Sequence, residues 1–419
     1  MGKLGALKES LSILRGNFLV LLVTWIIFRL AFRIVGPYES LYICALGATP
    51  ATLGFMSSLQ TAVLCLSLIP GSYLADRWGR RSLIVVMTYV LGFSYLFYAV
   101  APTWHLVLVG MLLAGLARLY SPALQAMTAD SLPPEKRGMG YAMMRVVPDA
   151  FAVGSPVIAV LLIKSYGFVD GLRLAYLAVF ASFMAAATIR LLFLKETLRP
   201  GETGERPGLI RLYADSVRDM ANVLGQAPRP IKALILASVV ALPLSQIIWG
   251  GPFGSGFVPL YVVDFSGVTE EGWGLLSSIR LAVGLLAGLV MGELVDRLSR
   301  KALLIARFLV GAPLTVLFVF ARGFAQVLAV LLLVDLLSFM GMAALQALLA
   351  DLTPRELRGR VIGARMLLLN LAAIPISSLV GYVYEAVDPK LPFFSSGVLS
   401  LAAALIIAAL VEEPVKREL

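Results

Sequence analysis

The chain has 419 residues, of which 59% are hydrophobic and only 14% are charged. This balance excludes an ordinary soluble domain and indicates a polytopic membrane protein. The net charge of +10 does not indicate a nucleic-acid partner, because the basic residues gather in segments on one side of the predicted membrane.

Twelve apolar runs are long enough to cross about 30 Å of hydrocarbon as helices. The predicted spans are residues 16–42, 51–74, 82–101, 106–129, 139–163, 171–194, 231–262, 272–295, 302–320, 325–350, 361–384 and 391–411. Lys and Arg are concentrated on the side that holds both termini, and the positive-inside rule predicts that this side is cytoplasmic.

One long connection, rich in Gly, Pro and charged residues, separates the sixth predicted span from the seventh. Within it, apolar residues from Leu209 to Leu224 recur at helical spacing, which predicts an amphipathic helix on the membrane surface. We therefore divide the chain into a six-helix bundle (1–195), a cytoplasmic linker (196–230) and a second six-helix bundle (231–419).

The two bundles repeat each other. The turn from Gly71 to Arg81 follows the second span and reappears as Gly292 to Lys301, about 220 residues later. The segment from Asp130 to Gly138 reappears in the same way as Asp351 to Gly359. Two motifs in register predict an all-α membrane protein, with twelve transmembrane helices in two pseudo-symmetric six-helix bundles.

This arrangement resembles the major facilitator superfamily of secondary transporters, whose signature turn reads Gly-x-x-x-Ala-Asp-Arg-x-Gly-Arg-Arg. The residues that carry the motif here are Gly71, Asp76, Arg77, Gly79, Arg80 and Arg81. The second copy departs from it with Ser299 at the glycine position. The resemblance covers the whole chain and implies that two halves rock about a midplane site, opening it alternately to each side.

The charged residues at these turns can form a latch. Opposite charges end neighbouring helices on the cytoplasmic side, so charge-assisted hydrogen bonds can link them. If the same residues are only solvated topology signals, they contribute about 0–1 kcal/mol per pair. The predicted gating residues are Asp76, Arg77, Arg80, Asp130, Glu135, Asp296, Arg300, Asp351 and Glu356.

Arginine is in excess near the middle of the predicted membrane, where an ionisable side chain costs about 2.5–3.5 kcal/mol and is usually paired or functional. A surplus of guanidinium groups favours a carboxylate or phosphate ligand, so we predict a small organic anion as the substrate. The resemblance implies that helices one, four, seven and ten line the cavity. The predicted substrate-binding residues are Arg29, Arg33, Arg118, Gln246, Trp249 and Arg280.

Proton coupling is the predicted driving force, because a carboxylate beside an arginine can change protonation as the cavity opens. The candidate carboxylates are Asp335, Asp149 and Glu39. Asp149 can neutralise Arg145 on its own helix or meet Arg280 from the other half, and Arg33 can pair with either of the other two carboxylates. If every arginine pairs, no anion site remains.

Three further arginines, Arg190, Arg307 and Arg365, lie near the cytoplasmic ends of their spans. Long side chains in that position can extend their charged heads to the membrane surface. We expect these three to snorkel in this way or to join the latch.

The sequence contains no nucleophile elbow, metal-ligand cluster or phosphate-binding loop, so we expect neither an enzyme nor a bound cofactor or metal. A proton-driven multidrug efflux antiporter is the main alternative, although Gly154 to Ala159 keeps only part of the pattern typical of such exporters. A non-transporting receptor is the alternative of another class. We expect a monomer in the cytoplasmic (inner) membrane whose partners are lipid, protons and an anionic small molecule.

Overall fold

The computed structural model describes residues 13–198, 209–250, 256–354 and 357–412. Within its helices, the side chains of Ser72, Asp76, Leu209, Ile210, Leu212 and residues 289–296 are outside that description. All of the regular secondary structure in these ranges is helical.

The helices of the first half agree closely with the predicted spans. They are α1 (Gly16–Val35), α2 (Glu39–Ala45), α3 (Pro50–Trp78), α4 (Arg80–Ala99), α5 (Trp104–Ala117), α6 (Ser121–Asp130), α7 (Arg137–Ala152), α8 (Ser155–Tyr166) and α9 (Phe168–Phe193). Short 3-10 turns join α1 to α2 at Gly36–Tyr38 and α5 to α6 at Arg118–Tyr120.

The second half follows the same plan. Its helices are α10 (Leu209–Gln226), α11 (Arg229–Trp249), α12 (Val258–Phe265), α13 (Glu270–Arg297), α14 (Arg300–Phe320), α15 (Gly323–Leu352), α16 (Arg358–Ala386) and α17 (Leu391–Leu410). Here α10 occupies the connection between the halves, and the others form the membrane spans.

Eleven helical segments within the described ranges are long and apolar enough to cross a membrane. The remaining predicted span is α13, which has 28 residues and therefore exceeds the ~20 that a crossing needs. The predicted fold, an all-α membrane protein with two six-helix halves, is confirmed.

Proline explains where several spans are interrupted, since it cannot donate a backbone hydrogen bond within a helix. The first span breaks at Pro37, within the 3-10 turn, and the fourth breaks just before Pro122. In α3, Pro70 removes the usual donor to the carbonyl of Leu66, and the hydroxyl of Tyr213 on α10 donates to that carbonyl instead. The linker helix thus satisfies a backbone group that proline exposed.

The helices pack into two compact units. One combines the residues through Gly36 with Val63–Ala214, and the other combines Pro37–Ala62 with the residues from Asp215 onward. The second unit therefore includes α2 and the beginning of α3. The boundary between the units passes through helices. By packing, residues 37–62 belong to the second unit, whereas the sequence repeat places them in the first copy.

Within the second unit, α3 and α16 approach at the level of their backbones. A Cβ atom added to Gly54 would lie 3.0 Å from the Cα of Gly381, and one added to Gly381 would collide with the carbonyl oxygen of Pro50. The hydroxyls of Ser58 and Ser378 are 2.7 Å apart, and Ser58 also donates to a carbonyl of α16. Glycine and serine are what allow this contact.

We predict that Gly381→Ala loosens the contact between α3 and α16, because overpacking costs about 1–3 kcal/mol. The measurement is the rate of disulfide formation between Ser58→Cys and Ser378→Cys after both native cysteines are replaced. The expected result is a slower rate.

The matched control is Gly363→Ala on the same helix, where an added Cβ meets nothing within 4 Å. It should leave the cross-linking rate unchanged. Equal rates in the two variants would contradict the close contact.

Candidate functional site

Two arginines of α1 share one aspartate of α7 in the first unit. Arg29 and Arg33 are one helical turn apart and therefore project from the same face of α1. The Nε of Arg29 lies 3.1 Å from Oδ1 of Asp149, and Nη2 of Arg33 lies 4.0 Å from the same oxygen. Each of the three side chains is between 23% and 32% exposed, so the cluster is half-buried. The three side chains are two cations and one anion.

The second unit contains a closed ion pair. Arg280 on α13 donates from Nε and Nη2 to the two carboxylate oxygens of Asp335 on α15, at 2.7 and 2.9 Å. The guanidinium carbon of Arg280 also lies 5.9 Å from the centre of the Trp273 ring. Such a bidentate pair is strong and geometrically specific, and its formal charge is zero.

These contacts correct the pairings expected from sequence. Asp149 pairs with Arg29, whereas pairing with Arg145 or Arg280 was expected. Asp335 pairs with Arg280, a partner that the sequence did not indicate for it. The error has a physical cause: a sequence shows which helix carries a charge, but not which neighbouring helix its face meets.

The other predicted substrate and coupling residues lie on other elements of the chain. Arg118 is partly exposed in the 3-10 turn that interrupts the fourth span. Glu39, also partly exposed, begins α2. Gln246 and Trp249 lie near the end of α11, where the Trp249 ring is centred 5.0 Å from that of Phe318. This packing accounts for Trp249, and its substrate-binding role stays a prediction.

The residues predicted to gate form matching ion pairs in the two units. Arg80 bonds to Asp130 in the first unit, and Arg300 bonds to Asp351 at the equivalent position in the second. The second pair is more buried, since the Asp351 side chain is 8% exposed against 43% for Asp130. Burial excludes screening by water and salt, so the second pair should be the tighter one.

The remaining gating candidates are less informative. Arg77 is exposed at the end of α3, and Glu135 is exposed in the 3-10 turn Pro134–Lys136. The side chains of Asp76 and Asp296 are outside the described set, and Glu356 lies outside the described residues altogether.

Sequence reasoning missed a role for Glu196, which follows α9. Its carboxylate accepts backbone N–H bonds from Arg81 at 3.0 Å, from Thr197 at 2.9 Å and from Leu198 at 3.0 Å. Gly79, at φ +85°, precedes α4 and has no side chain with which to cap it. Glu196 therefore caps the first turn of α4 from the segment that follows α9, and it holds the signature turn in place.

The backbone bonds also set the charge state of Glu196. Burial by itself would raise the pKa of this carboxyl, but the donated backbone N–H bonds outweigh it and hold the pKa below the usual range. The sequence does mark this segment, because Leu194 to Thr197 resembles Val411 to Pro414 at the end of the second copy.

Arg190 on α9 does not snorkel, contrary to expectation. Its side chain is completely buried. It donates to the hydroxyls of Thr24 and Thr88 at 3.1 and 2.9 Å, and its guanidinium lies 4.6 Å from the centre of the Phe28 ring. This arginine joins α1, α4 and α9 inside the first unit.

Comparison with known proteins points to one family. A family model described as the Major Facilitator Superfamily matches residues 21–273 and 253–419. The multidrug resistance protein MdtG of Enterobacter lignolyticus (strain SCF1) is 25% identical over 353 residues, which cover 81% of this chain and 80% of the relative.

Two other similarities carry less information, one because it covers a small part of the chain and the other because its sequence identity is low. A Na(+), Li(+), K(+)/H(+) antiporter of Planococcus maritimus is 29% identical over 160 residues, but the match spans only 38% of that protein and 37% of this chain. The solved structure of the xylose transporter XylE from E. coli, in an inward-open conformation, is similar with a TM-score of 0.71 at 16% identity. It covers 95% of this chain and 96% of that one, and it shows the fold alone.

We predict that Glu196→Gln lowers stability by about 0.5–1 kcal/mol near neutral pH, at the low end for a lost helix cap because Glu196 is exposed. The pKa of Glu196 is lower in the folded state, so its stabilisation is complete above the unfolded value of about 4.3 and is lost as the pH falls through the folded-state pKa. Thermal unfolding of the purified protein should therefore show a difference between wild type and variant that shrinks in acid.

Glu135→Gln, at an exposed carboxylate on the same end of the unit, is the control and should have no effect at either pH. A Glu196→Gln difference that stays constant between neutral and acidic pH would contradict the charge-dependent cap.

Proposed function

This chain belongs to the Major Facilitator Superfamily of secondary transporters, and from that premise we propose that it moves a small organic anion together with a proton. It is an integral membrane transporter, and the members of this family are not enzymes. We further propose that it works as a monomer in the cytoplasmic membrane with both termini cytoplasmic.

The observation that carries the proposal is the sharing of Asp149 by Arg29 and Arg33. A guanidinium group presents a planar fork of donors that matches a carboxylate. Both guanidinium groups face one carboxylate, with Arg29 3.1 Å and Arg33 4.0 Å from the same oxygen of Asp149. A substrate carboxylate can therefore enter the cluster as a second anion.

Coupling to protons follows from the same three side chains. Protonation of Asp149 removes the negative charge that competes with a substrate for Arg29 and Arg33. A bound anion then replaces that charge, so proton and anion each favour binding of the other. Ligands that bind together are carried together, which makes the proposed transport a symport.

The Arg280–Asp335 pair, by contrast, begins neutral. We propose that it is a second coupling element, in which protonation of Asp335 would free the guanidinium of Arg280. Glu39, Arg118 and Gln246 remain candidates near the transport path. The pairs Arg80–Asp130 and Arg300–Asp351 would stabilise one end state of the alternating-access cycle and release it in the other.

A second candidate function is proton-driven export of drugs, favoured by the likeness to the multidrug resistance protein MdtG over about four-fifths of both chains. In that case a lipophilic cation would compete with a proton for Asp149 or Asp335. Competition makes the two ligands move in opposite directions. The sign of the coupling thus separates the two candidates.

We predict that purified protein in liposomes takes up carboxylates faster when an inward proton gradient is imposed. Arg29→Ala should lower this uptake about tenfold or more, because a charge-assisted hydrogen bond contributes about 1.5–3 kcal/mol. Asp149→Asn should keep anion uptake but remove its dependence on the proton gradient. Radiolabelled carboxylates of different sizes provide the measurement.

Arg145→Ala, an exposed arginine one turn from Asp149 on α7, is the matched control and should transport like wild type. Normal anion uptake by a correctly folded Arg29→Ala protein would disprove the proposed site. Export of ethidium driven by proton movement in the opposite direction, with no carboxylate uptake, would establish drug export in place of anion transport.

A further inference from the structure

A segment of the first copy is packed into the second unit. Residues 37–62 belong to the first copy by the sequence repeat, but they pack with the second unit, and they include α2 and the beginning of α3. In the alternating access of this family, the two copies move against each other about a central site. Any bond between residues 37–62 and a span of the second copy must therefore either open in each cycle or hold this segment to the second copy throughout.

The span that contacts this segment, α16, is attached to its own copy. Arg365 of α16 was expected to reach the membrane surface, but its side chain is only 3% exposed, so that expectation is wrong. Its Nε donates to the hydroxyl of Ser238 on α11 at 3.2 Å, and Ser238 is itself 2% exposed. This buried bond joins spans seven and eleven, so we expect α16 to move with the second copy.

Ser58 of α3 bonds to the backbone of α16. Its hydroxyl donates to the carbonyl of Ile374 and accepts the N–H of Ser378 at 3.0 Å. Residues four apart in an α-helix are the acceptor and the donor of one backbone hydrogen bond. Ser58 therefore bridges two groups of α16 that can also bond directly to each other.

A proline weakens the same turn of α16. Pro375 lies between the two groups, and proline disfavours the helical conformation of the residue before it, here Ile374. The turn is thereby loosened, which lets a hydroxyl from another helix bind to it. When Ser58 moves away, the N–H of Ser378 can bond to the carbonyl of Ile374, and neither group is left without a partner.

Glu385 of α16 supplies a second bond, in the opposite direction. Its carboxylate accepts the backbone N–H of Ala51 at 2.8 Å, in the first turn of α3. The N–H groups of a first turn have no acceptor within their own helix. Glu385 lies in the last turn of α16, where the helix dipole disfavours a negative charge, whereas the start of α3 favours one. The contact with α3 therefore explains a carboxylate that α16 alone would not stabilise.

We propose that Ser58 and Glu385 form a lock between α3 and α16 that closes and opens once in each transport cycle. This α3–α16 lock lies at the end of α3 opposite the signature turn. Its bonds are releasable, because α16 can restore its own hydrogen bond and Glu385 is exposed, so that water can replace it at α3. Between the two bonds, Gly54 and Gly381 meet without interlocking side chains, which lets the helices part. The lock rests on the alternating access of the family and not on the substrate.

The test is the distance between spin labels on the two helices, measured by continuous-wave and pulsed electron paramagnetic resonance in lipid nanodiscs. Phe55→Cys and Tyr382→Cys carry the labels after Cys44 and Cys65 have been replaced, and the two native side chains are 54% and 59% exposed. The closed lock should give a short distance and the open lock a longer one. Glu385→Ala should raise the ratio of the longer to the shorter population about two- to fivefold, as expected for the loss of an exposed helix cap.

Three further variants separate the lock from a general effect of mutation. Glu385→Gln keeps an oxygen that can accept the N–H of Ala51, so it should shift the ratio less than Glu385→Ala. Ser58→Ala removes the other bond and should also raise the ratio, which provides a second variant if Glu385→Ala fails to fold. Asp264→Ala, at an exposed carboxylate of α12 in the same unit, is the matched control and should leave the ratio unchanged.

Two outcomes would overturn the proposal. One is a single short distance in wild type and in every variant, since residues 37–62 would then stay attached to the second copy throughout the cycle. The other is a ratio that neither Glu385→Ala nor Ser58→Ala changes, or that Asp264→Ala changes equally, since these two bonds would then not control the separation. The measurement uses no substrate, so the proposed anion transport stands or falls separately.

Discussion

The cost of placing a charge in hydrocarbon is the constraint on which the rest of this structure depends. Each unit meets it with an arginine–aspartate contact between neighbouring spans, Arg29–Asp149 in the first and Arg280–Asp335 in the second. The contacts are not equivalent, because among the described residues a second arginine lies beside the carboxylate of the first contact and not of the second. That asymmetry is the physical reason for proposing that an anion binds to the first unit.

The same logic operates at the charged ends of the bundles, where duplication has preserved it. Arg80–Asp130 and Arg300–Asp351 are the same contact made twice. The first copy has an additional support, since Glu196 caps α4 next to Arg80. The turn that carries the family signature is therefore fixed by backbone hydrogen bonds as well as by ion pairs, and a change in its charges can act on a well-ordered segment.

The fold was predictable from the sequence, because the length of the apolar runs indicates the membrane spans and the repeated motifs indicate two similar halves. The twelve spans and their order required no knowledge of packing. The partner of Asp149 was not predictable in this way, because it depends on how α1 and α7 rotate against each other. The burial of Arg190 was missed for a similar reason: Thr24 and Thr88, which accept its hydrogen bonds, are distant in sequence and ordinary in composition.

The central claim is that a proton and an anion bind cooperatively at Asp149, Arg29 and Arg33. Proton exchange with the solvent tests it most directly, using purified protein in weakly buffered detergent solution and the carboxylate with the highest flux. Adding the carboxylate should cause uptake of up to about one proton per protein molecule, and Asp149→Asn should abolish it. Saturating binding of the carboxylate without proton uptake, or with proton release, would contradict the account.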